Sequence, residues 1–408
     1  MAGADPETRV TFGDVFAVRE FRALWFAQLL SLIGDQLAIV ALTWLVFRAS
    51  DSPFLAAAAY AISFLPWVIG GPLLSGLADR LPRREVMVVC DAARAGLMLV
   101  MAIPGMPIWS LCVLLFTTEL LSPPFSAARA ALMPDVLPGD RYVVGTAVNN
   151  ITIQTGQVIG FATAGAVVAV LDPSGALAVN AATFLVSGVL LASQVTSRPA
   201  ARNDARPLGS SVADALAGLR LIAGNPRLRT LTALALLSAL YIVPEGLAAP
   251  YATALGGGSR AAGVLLAAGP FGAAMGAFVF SRYVSPSDRL RMMGPLAVLS
   301  CASLVACVFR PGLLGSLAIF ALSGAASAYQ LAANAAFVTA VPAASRGQAF
   351  GLVTASMTVS QGFAIVLAGA VAERAQPALV ITAAGGIGCL AALLLSAAWR
   401  SSVRHGDA

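Results

Sequence analysis

Twelve apolar runs, at 24–47, 54–77, 86–103, 108–133, 143–171, 176–192, 231–255, 261–280, 292–309, 313–341, 349–371 and 378–399, constrain this chain more than any other feature. Nearly all of them can cross the ~30 Å hydrocarbon core of a bilayer as helices, which takes about 20 residues apiece. Barrel strands would need only about ten residues in strict alternation. The expected fold class is therefore an all-α membrane protein with twelve transmembrane helices. Only 11% of the residues are charged, against ~25% in soluble domains. A surface this apolar has the lipid bilayer as its solvent, which excludes a cytosolic enzyme or a nucleic-acid binder.

The runs form two groups of six, giving an N-terminal half over 1–196, a polar linker over 197–230 and a C-terminal half over 231–408. The linker opens with Arg198-Pro199 and Arg202 to Pro207. Val212, Leu216 and Leu219 then recur at helical spacing behind Ser211, an N-cap with Asp214 at its third position. Two readings stand: a short helix on the membrane surface, or a tether.

All 25 cations are arginines. If both termini are cytoplasmic, the inner loops hold 19 of them and the outer loops only Arg48, Arg260, Arg310 and Arg374. That asymmetry sets the orientation and accounts for the net charge of +6 without an anionic partner. The halves also echo each other about 200 residues apart. Phe21 to Leu24 answers Leu228 to Leu231, Gly76 to Arg80 answers Gly276 to Arg282, and Pro138, Arg141 and Gly145 answer Pro342, Arg346 and Gly351. Duplicated halves with even span counts insert the same way up.

Several chemistries lack their residues. The five cysteines lie inside apolar runs without paired spacing, and the single histidine, His405, is three residues from the end, so no metal site or cofactor is implied. Asp5, Glu7, Asp14 and Glu20 occupy the place of a signal peptide's basic region, so no cleavable signal is expected. No phosphate-binding loop is found, so no nucleotide is expected.

The segment after span two reads Gly71 to Arg84, with Asp79, Arg80, Arg83 and Arg84 in a Leu-Ala-Asp-Arg-x-x-Arg-Arg frame. It resembles the signature loop of the major facilitator superfamily, with Ser75 and Pro82 in place of two glycines. The resemblance implies twelve helices in two six-helix halves around a central cavity. Phe21 to Trp25, Ser31 to Asp35, Asp91 to Arg94 and Pro124 to Asp135 are similar to the drug-efflux branch that includes macrolide exporters. Two marks depart from it: the glycine motif of span five survives as Gly156, Gly160 and Gly165, with Phe161 where proline is usual, and the arginine of span four is expected to be missing. The Asp79 loop reads as a conformational latch. Arg80, Arg83 and Arg84 would pair with an acid such as Asp135 and hold the halves together in one state, or the arginines only enforce topology.

Three in-span carboxylates are the proton-coupling candidates. Asp35 lies about 16 Å into span one, near the midplane, where a carboxylate is expensive and points to function. Glu245 follows Pro244 in span seven with Tyr241 one turn before, and proline there kinks the helix. Glu119 sits mid-depth in span four. Each either exchanges protons or packs its span through hydrogen bonds. Asp91 and Arg94, three apart, share a helix face and neutralise each other. Gln36, Asn149, Asn150, Gln154, Tyr241, Gln330 and Asn334 are the cavity candidates, with interhelical hydrogen bonding as the alternative. Glycines such as Gly269, Gly272, Gly276, Gly385, Gly386 and Gly388 read as close-packing positions.

The sequence thus points to a secondary transporter that exports a small amphipathic molecule against protons. A proton-coupled importer or uniporter, a lipid transporter, and a receptor or scaffold on the same fold are the rivals. An enzyme is disfavoured, because no nucleophile motif is present.

Overall fold

The computed structural model describes residues 10–74, 81–198, 210–342 and 345–404. These residues are almost entirely helical. Span one is Arg19–Ser50, span three Arg83–Met101, span eight Ser259–Tyr283, span eleven Arg346–Ala372 and span twelve Pro377–Arg404. Span nine is Pro286–Val305, ending in a 3-10 turn at Ala306–Phe309. Spans five and six share one helical stretch, Asp140–Gln194, broken at Asp172 (φ 59°, ψ 168°) before Pro173. Gly160 abuts Gln36 while Asn180 abuts Gly34, so the stretch doubles back and crosses twice. Ten helical segments meet the length and apolarity of a membrane crossing. Counting the doubled stretch twice and adding span three, whose charges dilute its apolarity, gives twelve.

The remaining spans are broken where the sequence interrupts helical hydrogen bonding. Span four divides into Ile108–Leu120 and Ser122–Val136 just before Pro123-Pro124, because proline lacks the N–H and crowds the preceding turn. Span seven falls into four pieces around Pro244: Pro226–Leu236, Ser238–Tyr241, Val243–Gly246 and Ala248–Ala254. Span two is Pro53–Ala61 followed by Leu65–Leu74, and span ten is Gly312–Ala326 followed by Tyr329–Ala340.

The two ends of the bundle are held differently. At the end where the linker lies, one apolar core packs only N-terminal residues, Val15 through Val195, and another only residues of the linker and the C-terminal half, Ile222 through Ala392. At the opposite end the core crosses the seam: Ala248, Leu266, Ala267 and Ile365 join Leu37, Ala57 and Val168, and Ala249 joins Phe47 and Ala56. Backbones touch there. A Cβ added to Gly263 would sit 2.7 Å from the Gly165 Cα, bringing spans eight and five together, and one added to Gly369 would sit 3.1 Å from the Phe54 Cα of span two. Across this seam the Phe54 N–H donates to the Glu373 carboxylate at 3.0 Å, and the Ser52 hydroxyl donates to the same carboxylate. Ser52 caps span two, so Glu373 places negative charge on the positive end of a helix from the other half. The apolar core is continuous across the seam at this end, and among the described residues neither core at the linker end crosses it.

The linker contains a helix, Ser210–Gly224. It docks through Gly218, close to the Gln348 carbonyl of span eleven, and through the buried Ile222, while Leu216 and Leu219 are exposed. The docked face is thus not the one the Val212, Leu216 and Leu219 spacing marks. Gly272 and Gly276 of span eight let span ten approach its backbone, and Gly385 and Gly388 do the same for span nine, whereas Gly269 faces the Glu245 carboxylate and it is Gly324 of span ten that meets the Gly269 carbonyl. Gly386 faces open space and packs nothing.

Candidate functional site

Between the halves lies a chamber of about 550 Å³, within the usual range for small-molecule sites. Span one supplies Gln28, Ser31 and Asp35, and span four supplies Glu119, Ser122, Ser126 and Arg129. Positions 28, 31 and 35, like 122, 126 and 129, fall at spacings of three or four and so line one helix face each. Span two adds Tyr60, Phe64 and Trp67, and the C-terminal half adds Ile242, Glu245, Pro270, Thr358 and Gln361. Asp35 follows Arg19 by 16 residues and precedes Ser50 by 15, which puts it at the middle of its helix. A second hollow, about 260 Å³, continues past Glu245 and is lined by Gln154, Gln157 and Tyr241. A larger hollow, about 770 Å³, is elsewhere, between spans nine and twelve. Its walls include the exposed Leu290, Leu299 and Leu393, so it is a groove on the lipid face.

The charges of the chamber differ in how well they are partnered. The Tyr60 hydroxyl donates to the Glu245 carboxylate at 2.5 Å, a bond from one half to the other. Ser122 donates to Glu119 at 3.4 Å. Arg94 lies over the rings of Phe125 and Phe184, 5.3 and 5.2 Å from their centroids, and 3.9 Å from Asp91. Asp91 is fully buried and also accepts from Ser187 at 2.5 Å. Asp35 and Glu119 each lie within electrostatic reach of Arg94 and of one another. Arg129 has no such partner: it is 8% exposed, its Nε and Nη2 make no hydrogen bond, and no described acid pairs with it.

The model of the Major Facilitator Superfamily matches residues 24–309, most of the chain. The chain belongs to this superfamily of transporters. It is similar to the multidrug efflux pump Tap of Mycolicibacterium fortuitum, 27% identical over 369 residues that cover 86% of this chain and 88% of that one. The macrolide efflux protein A of Streptococcus pyogenes is 27% identical over 28% of this chain and 31% of its own. The uncharacterized MFS-type transporter YfiS of Bacillus subtilis (strain 168) is 29% identical over 40% of each chain, so the match spans well under half the length of that relative. The solved nucleoside transporter NupG superposes with a TM-score of 0.69 at 15% identity, covering 92% of this chain and 99% of that one. The twelve-helix fold in two halves is that of the superfamily.

For this transporter the sequence named some chamber residues, missed others and misread one. Asp35, Gln36, Glu119 and Glu245 line the chamber, and Tyr241 and Gln154 line its extension. Gln330 donates to the Tyr241 hydroxyl and joins spans ten and seven. Asn149 is half-buried with its Oδ1 unpaired, while Asn150 and Asn334 are exposed, and none of the three lines either hollow. Asp91 and Arg94 are the buried pair expected, but Arg94 also reaches the chamber wall. The expectation that span four lacks an arginine is wrong, because Arg129 lies within Ser122–Val136. One charge among so many apolar residues was absorbed into the run. The signal that finds it is position 129 falling on the same helix face as Ser122 and Ser126.

Of the signature loop, Asp79 and Arg80 lie outside the described residues. Arg83 donates to Asp135 at 2.6 Å and to the Ala131 carbonyl at 2.8 Å, and Arg84 donates to the Val195 carbonyl at 3.2 Å. Each of these partners belongs to the N-terminal half. The Arg83–Asp135 pair therefore ties span three to span four and, in this state, joins no residue of the C-terminal half.

Proposed function

We propose that this transporter exports small amphipathic molecules from the cytoplasm by proton antiport with alternating access. The observation that carries the reading is the chamber itself, with Asp35, Glu119 and Glu245 around one space that is closed at one end of the bundle. Asp35 and Glu119 hold the transported proton, and Arg94 beside them makes the loss of that proton affordable in a region where lone charge is disfavoured. Glu245 serves the conformational step, since its bond to Tyr60 exists only while the halves are together at the closed end. Trp67, Phe64 and Phe125 supply an aromatic wall for the apolar part of the cargo. The arginine asymmetry places the linker face in the cytoplasm of a multi-pass protein of the cell membrane. In this orientation the chamber opens inward and loads from the cytoplasm, and similarity to efflux proteins supports the same direction.

The test is flux in proteoliposomes loaded with a panel of amphipathic probes, including a macrolide and a cationic dye, with and without an imposed pH gradient. The reading predicts movement of at least one probe against its own gradient, driven by the pH gradient and abolished by a protonophore. A chain that moves no probe under either condition, or moves probes equally well without the gradient, contradicts it.

A further inference from the structure

We infer that Arg129 is the anchor for a carboxylate borne by the transported molecule, so that the cargo is an amphipathic acid. This rests on the chamber being the transport site and names the class of substrate it takes. Arg129 is more than nine-tenths buried and lines the chamber. Its two unpaired nitrogens, Nε and Nη2, form the side edge of the guanidinium. That edge matches the two oxygens of a carboxylate in a bidentate pair, the strong form of such contacts. A cation held at this depth without an anion is costly, and the chamber's acids lie with other groups: Glu119 accepts from Ser122, Glu245 accepts from Tyr60, and Asp35 is within electrostatic reach of Arg94.

The surroundings complete a site. Gln28 and Ser31 are 8% and 5% exposed, line the same chamber, and leave Gln28 Oε1 and Ser31 Oγ without hydrogen-bond partners. They offer further polar contacts on the span-one face across from span four. Arg129 lies 7 residues before Val136, the linker end of its span, and Gln28 lies 9 residues after Arg19. The unpaired groups therefore sit between the open mouth and the acids at the midplane. Trp67 and Phe64 give the apolar body of the acid a place to rest.

The test uses the purified full-length protein in detergent at pH 7.5 and equilibrium dialysis with two matched probes, naphthalene-2-carboxylate and the uncharged naphthalene-2-carboxamide. The wild type is expected to bind the acid about tenfold or more tighter than the amide, the effect of one charge-assisted bidentate contact. Arg129→Gln should bind the two equally, and an unfolding midpoint close to the wild type's shows that the variant is folded. Arg129→Lys should keep part of the preference, since it keeps the charge and loses the fork. Millimolar inorganic phosphate should not displace the acid.

Equal binding of acid and amide by the wild type overturns the assignment, as does a preference that survives in Arg129→Gln. If Arg129→Gln cannot be purified, an undiminished preference in Arg129→Lys overturns the fork. Displacement by phosphate at the acid's own concentration would make the site one for a free inorganic anion and overturns the assignment to cargo. Binding needs neither a gradient nor a direction of flux, so an intact acid preference without gradient-driven transport would remove the antiport reading and leave the subsite standing.

Discussion

The two halves share one six-helix plan, yet they contribute unequally to the chamber between them. The N-terminal half brings Asp35, Arg94, Glu119 and Arg129 to the wall, with Asp91 behind them. The C-terminal half brings one acid, Glu245, whose carboxylate is held by Tyr60 of the other half. The two halves share a scaffold, and the charge of the chamber lies mainly on one of them. On the function proposed above, the halves divide the work: one holds cargo and proton, and the other closes upon it.

The largest effect that would sharpen this contrast is on stability. Asp91→Ala takes from Arg94, 2% exposed, the one acid within 4 Å and leaves only the more distant Asp35 and Glu119, and should destabilise the protein by up to roughly 3–5 kcal/mol. Glu245→Gln keeps an acceptor for Tyr60 and should change stability by less than about 1 kcal/mol. Thermal unfolding in detergent compares the two, and equal midpoints would erase the distinction between the halves.

The next effect lies at the closed end. Gly263→Val puts a side chain where span five's backbone runs. Overpacking of this kind amounts to about 1–3 kcal/mol, which should shift the population toward the state open at that end by ~5- to 150-fold. Reactivity of a cysteine placed at the seam reads the shift, and unchanged labelling would mean the contact is not part of the gate. Tyr60→Phe removes one bond across the same seam and should move the same equilibrium by about 1 kcal/mol.

The smallest effect belongs to Glu373. The hydrogen bond from the Ser52 hydroxyl, followed by that from the Phe54 N–H, holds its carboxyl below the usual carboxylate range. A lowered value means the contact is in force above the ordinary range and fades as pH falls through the lowered one. Seam accessibility should therefore stay flat from about pH 8 to 5 and rise only below ~4. Glu373→Gln should open the seam a few-fold at neutral pH, as expected for a charge at a helix N-terminus. A wild-type response centred between pH 5 and 7 would assign the pH sensitivity of closure to other groups.

How much of this could be read from the chain depended on the length scale of the signal. The spans announce themselves because twenty apolar residues have one use in a membrane, and Pro244 marked the broken helix of span seven. Asp35 and Glu245 stood out as acids in apolar runs, and the same reasoning applied to cations would have found Arg129. The Arg83–Asp135 pair was legible as a pair, but which bodies it joins depends on how spans three and four meet, and spacing does not carry that. The amides failed for a related reason: an Asn in a helix faces one of several directions, and Asn150 and Asn334 turn away from the chamber. Closure at one end was not legible at all, since it arises from glycines such as Gly165 and Gly263 about a hundred residues apart.

The division of labour is tested most directly by measuring pH-gradient-driven flux and gradient-free exchange side by side for Asp35→Asn and Glu245→Gln in proteoliposomes. The account predicts that Asp35→Asn still exchanges cargo but no longer responds to the gradient, whereas Glu245→Gln slows both and stays gradient-dependent. Gradient-driven accumulation by Asp35→Asn, or loss of gradient response in Glu245→Gln alone, would contradict it.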